Sequence, residues 1–202
     1  MTRCLMLDVD GVVITGRPGD GQPWSTSLAT DLGIDPARLQ TVFFRPFWAQ
    51  IVTGKLGLVE TLTHCLPRAG ARIRAEDFVA YWFSRDARLD PRVLEDVAAL
   101  RGLGVAVFLT TNQDHLRAAY LMESVGLRDH VDGMVYSAAL GVRKPEHGFF
   151  AAAAVQVGHA PENLVLVDDT RANVTAARAA GWRARLWRGD LRLRDLVATD
   201  AP

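Results

Sequence analysis

Apolar residues occur along this chain in short dense blocks, and their spacing changes character near Asp90. Residues 3–9, Arg-Cys-Leu-Met-Leu-Asp-Val, hold an uninterrupted apolar run. Such a run predicts a short strand buried on both faces. Asp10-Gly11 then marks a turn, and residues 16–23 carry three glycines and two prolines, a loop composition. From 24 to 85 the spacing is helical, with no convincing strand. Val59, Leu62 and Leu66 fall at i, i+3 and i+7, and Pro67 follows as a stop signal. Phe78, Tyr81, Trp82 and Phe83 mark a second, aromatic-rich helical stretch. With Pro36, Pro46 and the Gly54/Gly57 pair as punctuation, the region reads as four or so short helices.

Beyond Asp90 the blocks alternate between helical and strand character. Asp90 is a good N-cap and Pro91 suits the first helical position. Val93, Val97 and Leu100 share one face of that helix. Strands are expected at 105–109, 133–137, 164–167 and 182–187. Helices are expected at 113–125, from Pro145 to Gly158, and at 171–180. Strand–helix alternation implies right-handed crossovers and a parallel sheet. The expected class is therefore α/β: a Rossmann-like parallel core, residues 1–16 and 86–202, with a small α-helical cap, residues 17–85, inserted after the first strand. The length agrees, since 202 residues exceed one domain of roughly 150 by only an appendage. The Arg-Leu alternation at 191–197 is expected to form an amphipathic end.

Composition narrows the class of partner. Lys+Arg (23) balance Asp+Glu (23), so no global field draws the chain to nucleic acid or an anionic membrane. No apolar stretch approaches the roughly 18 residues of a bilayer span. Cys4 and Cys65 are too few for a disulfide framework or a zinc site and read as buried thiols in a reducing compartment. A cytoplasmic monomer or small homo-oligomer is expected.

The chemistry is concentrated where strands end. In an open parallel sheet, ligands bind outside the carboxyl ends of the strands. There the sequence places Asp8 and Asp10, then Thr110, Thr111 and Asn112, then Lys144-Pro145, then Asp168 and Asp169. Two carboxylates about 4 Å apart repel by about 4 kcal/mol at an effective dielectric near 20. A cluster of four therefore calls for a cation, a raised pKa, or both. The donors are all oxygen, with no His or Cys among them, which selects Mg²⁺ over zinc. With Lys144, the Thr111 hydroxyl and main-chain N–H groups facing the same spot, the constellation describes a cradle for a phosphoryl group.

Asp8-Val9-Asp10-Gly11-Val12, Thr111-Asn112, Lys144-Pro145 and Asp168-Asp169, in that order, resemble the four motifs of the haloacid dehalogenase-like hydrolases. The resemblance spans the whole chain. The insert is similar to the short helical cap of the branch with sugar-phosphate phosphatases and the phosphatase domain of epoxide hydrolases. Its Gly54–Glu60 segment resembles that branch too, although Gly57 stands where Ser or Thr is commoner and leaves a helix without its usual cap.

The resemblance implies a phosphatase acting on a small phosphorylated metabolite, such as a sugar phosphate. Asp8 would be the nucleophile and a metal ligand. Asp10 would be the acid/base, with its main-chain carbonyl on Mg²⁺. Thr111 would hold a phosphoryl oxygen, with Asn112 and Lys144 also binding substrate, and Lys144 would orient Asp8 and neutralise charge. Asp169 would bind the metal directly, and Asp168 would be either a ligand or the holder of a metal-bound water.

Each motif alone has a plain structural explanation: an Asp-Gly turn, a helix cap, a solvated lysine. Their order and shared edge favour the site. Two rivals are a 2-haloacid dehalogenase and a phospho-Asp receiver that signals by binding. Asp10 disfavours the first, because a halide needs no proton on leaving. The long insert disfavours the second. His64, His115, His130, His147 and His159 show no ligand spacing. Trp24, Trp48 and Trp82 are expected in the insert's packing, Arg45 and Lys55 at its surface, and Asn173 beside the Asp169 loop.

Overall fold

A computed structural model describes residues 4–198; Arg3, at the start of the first expected strand, and the last four residues lie outside that range. Five parallel strands form one sheet: β1 (Cys4–Leu7), β2 (Ala106–Thr111), β3 (Gly133–Tyr136), β4 (Leu164–Asp168) and β5 (Arg183–Leu186), in the order β3-β2-β1-β4-β5. The period of two along β1 divides its side chains between two cores. Leu5 and Leu7 join Val107, Leu109 and Val167 under the helix Pro91–Gly102. Cys4 and Met6 join Leu164 and Leu166 under the helices His147–Val157 and Arg171–Ala179. A strand covered on both faces needs an unbroken apolar run, which is the pattern at 4–7. Burial pushes the Cys4 thiol up to about 12, with Asp132 adding to the effect, so it stays protonated.

Several local signals act as their chemistry requires. Asp90 accepts from the Arg92 N–H, with Pro91 at the first helical position. Asp114 accepts from the N–H groups of Leu116 and Arg117 and starts the helix His115–Glu123. That start comes two residues later than the expected 113, which leaves Asn112 and Gln113 in the loop beyond β2. The helix expected from Pro145 begins at His147, so Lys144-Pro145 lies in the preceding turn. At the C-terminal end Leu193 and Val197 are buried on the helix Leu193–Ala198, while Arg192 pairs with the buried Asp96.

Over residues 17–85 lie four longer helical runs, in order Leu28–Leu32, 36–51, Leu58–Cys65 and Ala75–Arg85, with short 3-10 turns at Trp24–Ser27 and Pro67–Ala69; the helix Pro91–Gly102 follows before β2. Pro46 was expected to interrupt the chain, but the second run continues through it. Proline supplies no N–H, and the ladder widens into a π turn at Gln40–Phe44 just before it. Gly57 caps the third run without a side-chain bond, as its missing hydroxyl dictates. These runs bury a core of their own, from Leu28 to Phe83. Trp24 stacks on Trp82 at 5.0 Å and Trp48 packs against the same ring at 5.6 Å, so the tryptophans serve packing. The chain leaves and returns as a narrow ribbon: Thr15 N–H donates to Arg88 O, Arg88 N–H to Gly16 O, and Asp90 N–H to Val13 O.

Arg117 ties the last of these runs to the sheet's own helices. The residue is 2% exposed, and its guanidinium donates to the carbonyls of Phe83 (3.1 Å) and Asp86 and lies over the rings of Phe83 and Tyr120. Those carbonyls end the helix Ala75–Arg85, where a cation also meets the negative pole of the helix. Arg117→Met should therefore destabilise the fold by about 2–3 kcal/mol, because buried carbonyls lose their donor. A urea titration would read this as a lowered midpoint, and an unchanged midpoint would show that the clamp contributes nothing.

Candidate active site

The strand order reverses about β1 and β4, and such a point leaves a crevice beyond the strand ends. Asp8 N–H donates to Val167 O at 2.9 Å, which sets Asp8 beside Asp168 at that crevice. Lys144 is brought in from the β3 side by a two-point clasp. Asn112 Nδ2 donates to Lys144 O (2.9 Å), and Lys144 N–H donates to Asn112 Oδ1 (2.8 Å). The Asn112 side chain is thereby committed to the turn that carries Lys144.

Lys144 is 3% exposed, and its ammonium donates to Asp8 Oδ1 (2.9 Å), Asp168 Oδ2 (2.6 Å) and Thr110 O (2.7 Å). An ammonium has three donors and all are used, so Lys144 reaches a bound anion through its charge. Asp168 is fully buried. Its Oδ1 accepts from Thr170 N–H (2.8 Å) and Asn173 Nδ2 (3.0 Å), and its Oδ2 also accepts from Asn173. The expected loop-steadying role of Asn173 thus falls on Asp168 itself. Asp169 is exposed and its Oδ1 accepts from Thr170 Oγ1 at 3.1 Å. Gly11, at φ +80°, lets this carboxylate approach: a Cβ there would stand 2.2 Å from Asp169 Oδ2.

A cavity of about 310 Å³ is lined by Asp8, Asp10, Thr111, Asn112, Lys144 and Asp169, while Asp168 sits behind it. One carboxylate oxygen each from Asp8, Asp168 and Asp169 lie within 4.8 Å of one another. Burial pushes the Asp8 carboxyl up; Lys144 opposes this and Asp168 adds to it. Burial likewise raises Asp10 against the pull of Arg117 and Gln113, and raises Asp169 against a bond from Thr170. Lys144 is held above its ordinary value, because Asp8 and Asp168 outweigh the effect of burial. Four carboxylates thus share this corner with one ammonium, which bonds Asp8 and Asp168, while Asp10 and Asp169 stand at the exposed side. All-oxygen donors with excess negative charge fit a hard divalent cation.

Three residues at this corner carry no motif signal in the sequence. Gln113 donates to Asp10 Oδ2 at 2.6 Å and to Thr111 Oγ1 at 3.3 Å. Arg117 lies close enough to act electrostatically on Asp10. Asp86, after the last inserted helix, has its carboxyl raised to about 6 by burial and by the Asp10 charge, against Arg117. Gln113 had one available clue, its place directly after Thr111-Asn112 at a strand end.

A family model described as haloacid dehalogenase-like hydrolase matches residues 2–181, and the chain belongs to that family. It is 28% identical over 158 residues to a phosphoglycolate phosphatase of Neisseria meningitidis, covering 72% of this chain and 67% of that one. It is 27% identical to a sesquiterpene phosphatase of Aspergillus oryzae, over 89% of this chain and 86% of the other. Among solved structures, a family enzyme of Bacteroides thetaiotaomicron in complex with magnesium superposes with a TM-score of 0.80 at 17% identity. That match covers 97% of this chain and 98% of the other, and it shows the shared fold. Among the described residues no helix is long and apolar enough to cross a membrane.

Proposed function

We propose that the chain is a magnesium-dependent phosphatase that hydrolyses small organic phosphomonoesters through an aspartyl-phosphate on Asp8. The observation that carries this reading is the state of the Asp8 carboxylate. Oδ1 accepts from both Lys144 Nζ (2.9 Å) and Val9 N–H (2.8 Å), which fixes the group and leaves Oδ2 to attack. Asp10 lines the same cavity as the acid that protonates the leaving oxygen and the base that then activates water. Thr111 holds a phosphoryl oxygen. A halide would need no such acid, so Asp10 separates this reading from a dehalogenase.

Asp8, Asp169 and the Asp10 main-chain carbonyl would hold Mg²⁺. Asp168, whose oxygens already accept bonds from Lys144, Thr170 and Asn173, would act behind them. The bound ion would supply positive charge against the transferring phosphoryl group.

Residues 17–85 serve in this reading as a cap over the cavity. Gly54 supports it, for its segment lies so close to the core that a Cβ would stand 2.8 Å from Ala138 O and 3.2 Å from His115 Nε2. A cap of this size admits a metabolite and excludes bulk water. The two relatives' names share phosphatase chemistry and differ in substrate. A sugar phosphate is the substrate class the motif resemblance favours, acted on by a cytoplasmic monomer or small homo-oligomer.

The test is phosphate release from a panel of sugar, glycolyl, isoprenyl and aryl phosphomonoesters, with Mg²⁺ and with a chelator. Release from at least one ester that ceases with the chelator is expected. No release from any of them would remove the proposal.

A further inference from the structure

The acid/base and the phosphoryl-binding hydroxyl share one amide. Gln113 is 3% exposed and stands just outside the helix His115–Glu123, which Asp114 caps. Its main-chain carbonyl accepts from Ala138 N–H (3.2 Å) and Ser137 Oγ (3.4 Å), so the backbone is anchored to the segment after β3. From that anchor the side-chain amide donates to Asp10 Oδ2 at 2.6 Å and to Thr111 Oγ1 at 3.3 Å. A carboxamide NH₂ has two protons, and this geometry uses both.

We infer that Gln113 is a positioning residue for phosphoryl transfer: its amide orients the Asp10 carboxyl and turns the Thr111 hydroxyl toward the substrate. The inference rests on the phosphatase reading and adds a residue to it. An N–H on Asp10 Oδ2 makes that atom an acceptor, so the carboxylic proton is carried on Oδ1. An N–H on Thr111 Oγ1 occupies an acceptor position of the hydroxyl, whose own O–H is left to donate to a phosphoryl oxygen.

In the step concerned, Asp8 Oδ2 forms the bond to phosphorus while the ester P–O bond breaks. The electron pair goes to the leaving oxygen, which takes the proton from Asp10. A short, half-buried bond on the far carboxyl oxygen holds that proton donor in one rotamer.

This role has a signature that loss of structure lacks. A good leaving group departs as a stable anion and needs little acid assistance, whereas a poor one depends on Asp10. The measurement is kcat/KM over 4-nitrophenyl, phenyl and benzyl phosphate for wild type, Gln113→Leu, Gln113→Met and Asp10→Asn. Both Gln113 variants should lose about tenfold to hundredfold on benzyl and phenyl phosphate, part of the 10²–10⁴ that general acid catalysis contributes. Their loss on 4-nitrophenyl phosphate should be several times smaller. Asp10→Asn should show the same dependence, more steeply. Methionine keeps the unbranched length of glutamine, so it tests the inference if leucine prevents folding.

An equal loss on all three esters would mark Gln113 as merely structural and overturn the inference. So would wild-type rates in both variants while Asp10→Asn is impaired, and that result would leave the phosphatase reading standing. If wild type turned over none of the three esters or of the wider panel, the phosphatase reading would fall and take the inference with it.

Discussion

Asp8→Asn should abolish turnover, by about 10⁴–10⁶-fold, the scale seen when a covalent nucleophile is removed. The fold should survive it. Both hydrogen bonds to the Asp8 carboxylate fall on Oδ1, from Lys144 and Val9, and an asparagine carbonyl oxygen accepts both. Only Oδ2 is replaced, by an amide nitrogen that cannot attack phosphorus. The carboxylate itself opposes folding near neutral pH. Burial, joined by Asp168 and resisted by Lys144, raises its pKa above the unfolded value. The folded state therefore binds more protons at that site than the unfolded chain, and stability falls as pH rises from the ordinary carboxylate range toward the raised value. Asparagine removes this cost. Without Mg²⁺ at pH 7, Asp8→Asn should melt no lower than wild type, while the gain in Tm on adding Mg²⁺ should shrink. Retained turnover in this variant would disprove the nucleophile, whatever the melting curve showed.

What the sequence disclosed follows from how local each feature is. β1 was legible because a strand buried on both faces must be apolar throughout, as Cys4–Leu7 is. Asp90 and Pro91 were legible because a cap acts on its own helix. The strand-end acids were legible because a parallel sheet sends all its carboxyl ends to one edge. The boundaries at 113 and 145 were misplaced for one reason. Asn112, Gln113 and Lys144 make bonds across the crevice that no helical period announces. Pro46 was misread because a proline's effect depends on whether the ladder can widen before it, and at Gln40–Phe44 it does. Arg117 sits on an ordinary helix face, and its partners Phe83 and Asp86 lie more than thirty residues away. The long-range polar contacts were therefore hidden, although the acids, threonine and lysine that line the cavity were in plain sight.

Lys144→Met should cost both stability and turnover, and pH separates the two reasons it could do so. The ammonium is the sole cation bonded to Asp8 and Asp168 among the described residues, and it also satisfies Thr110 O. Breaking a buried ion pair from one side typically costs about 3–5 kcal/mol, because the remaining charge is neither solvated nor paired. The Asp8 carboxyl, which Lys144 holds down against burial, should then rise further. The destabilisation should be greatest at neutral pH and should fade as acid protonates Asp8, since a neutral carboxyl no longer needs the cation. A packing defect from the altered side chain would cost the same at every pH. Urea midpoints across the acid-to-neutral range distinguish the two, and a loss independent of pH would contradict the electrostatic role. Saturating Mg²⁺ should return part of the lost stability at neutral pH, because a cation that binds only the folded chain stabilises it by mass action. It should not return turnover, for Asp8 would still lack the bond that fixes its rotamer. Lys144→Arg should fail as well. The planar guanidinium fork cannot make three divergent contacts from the point where the ammonium sits.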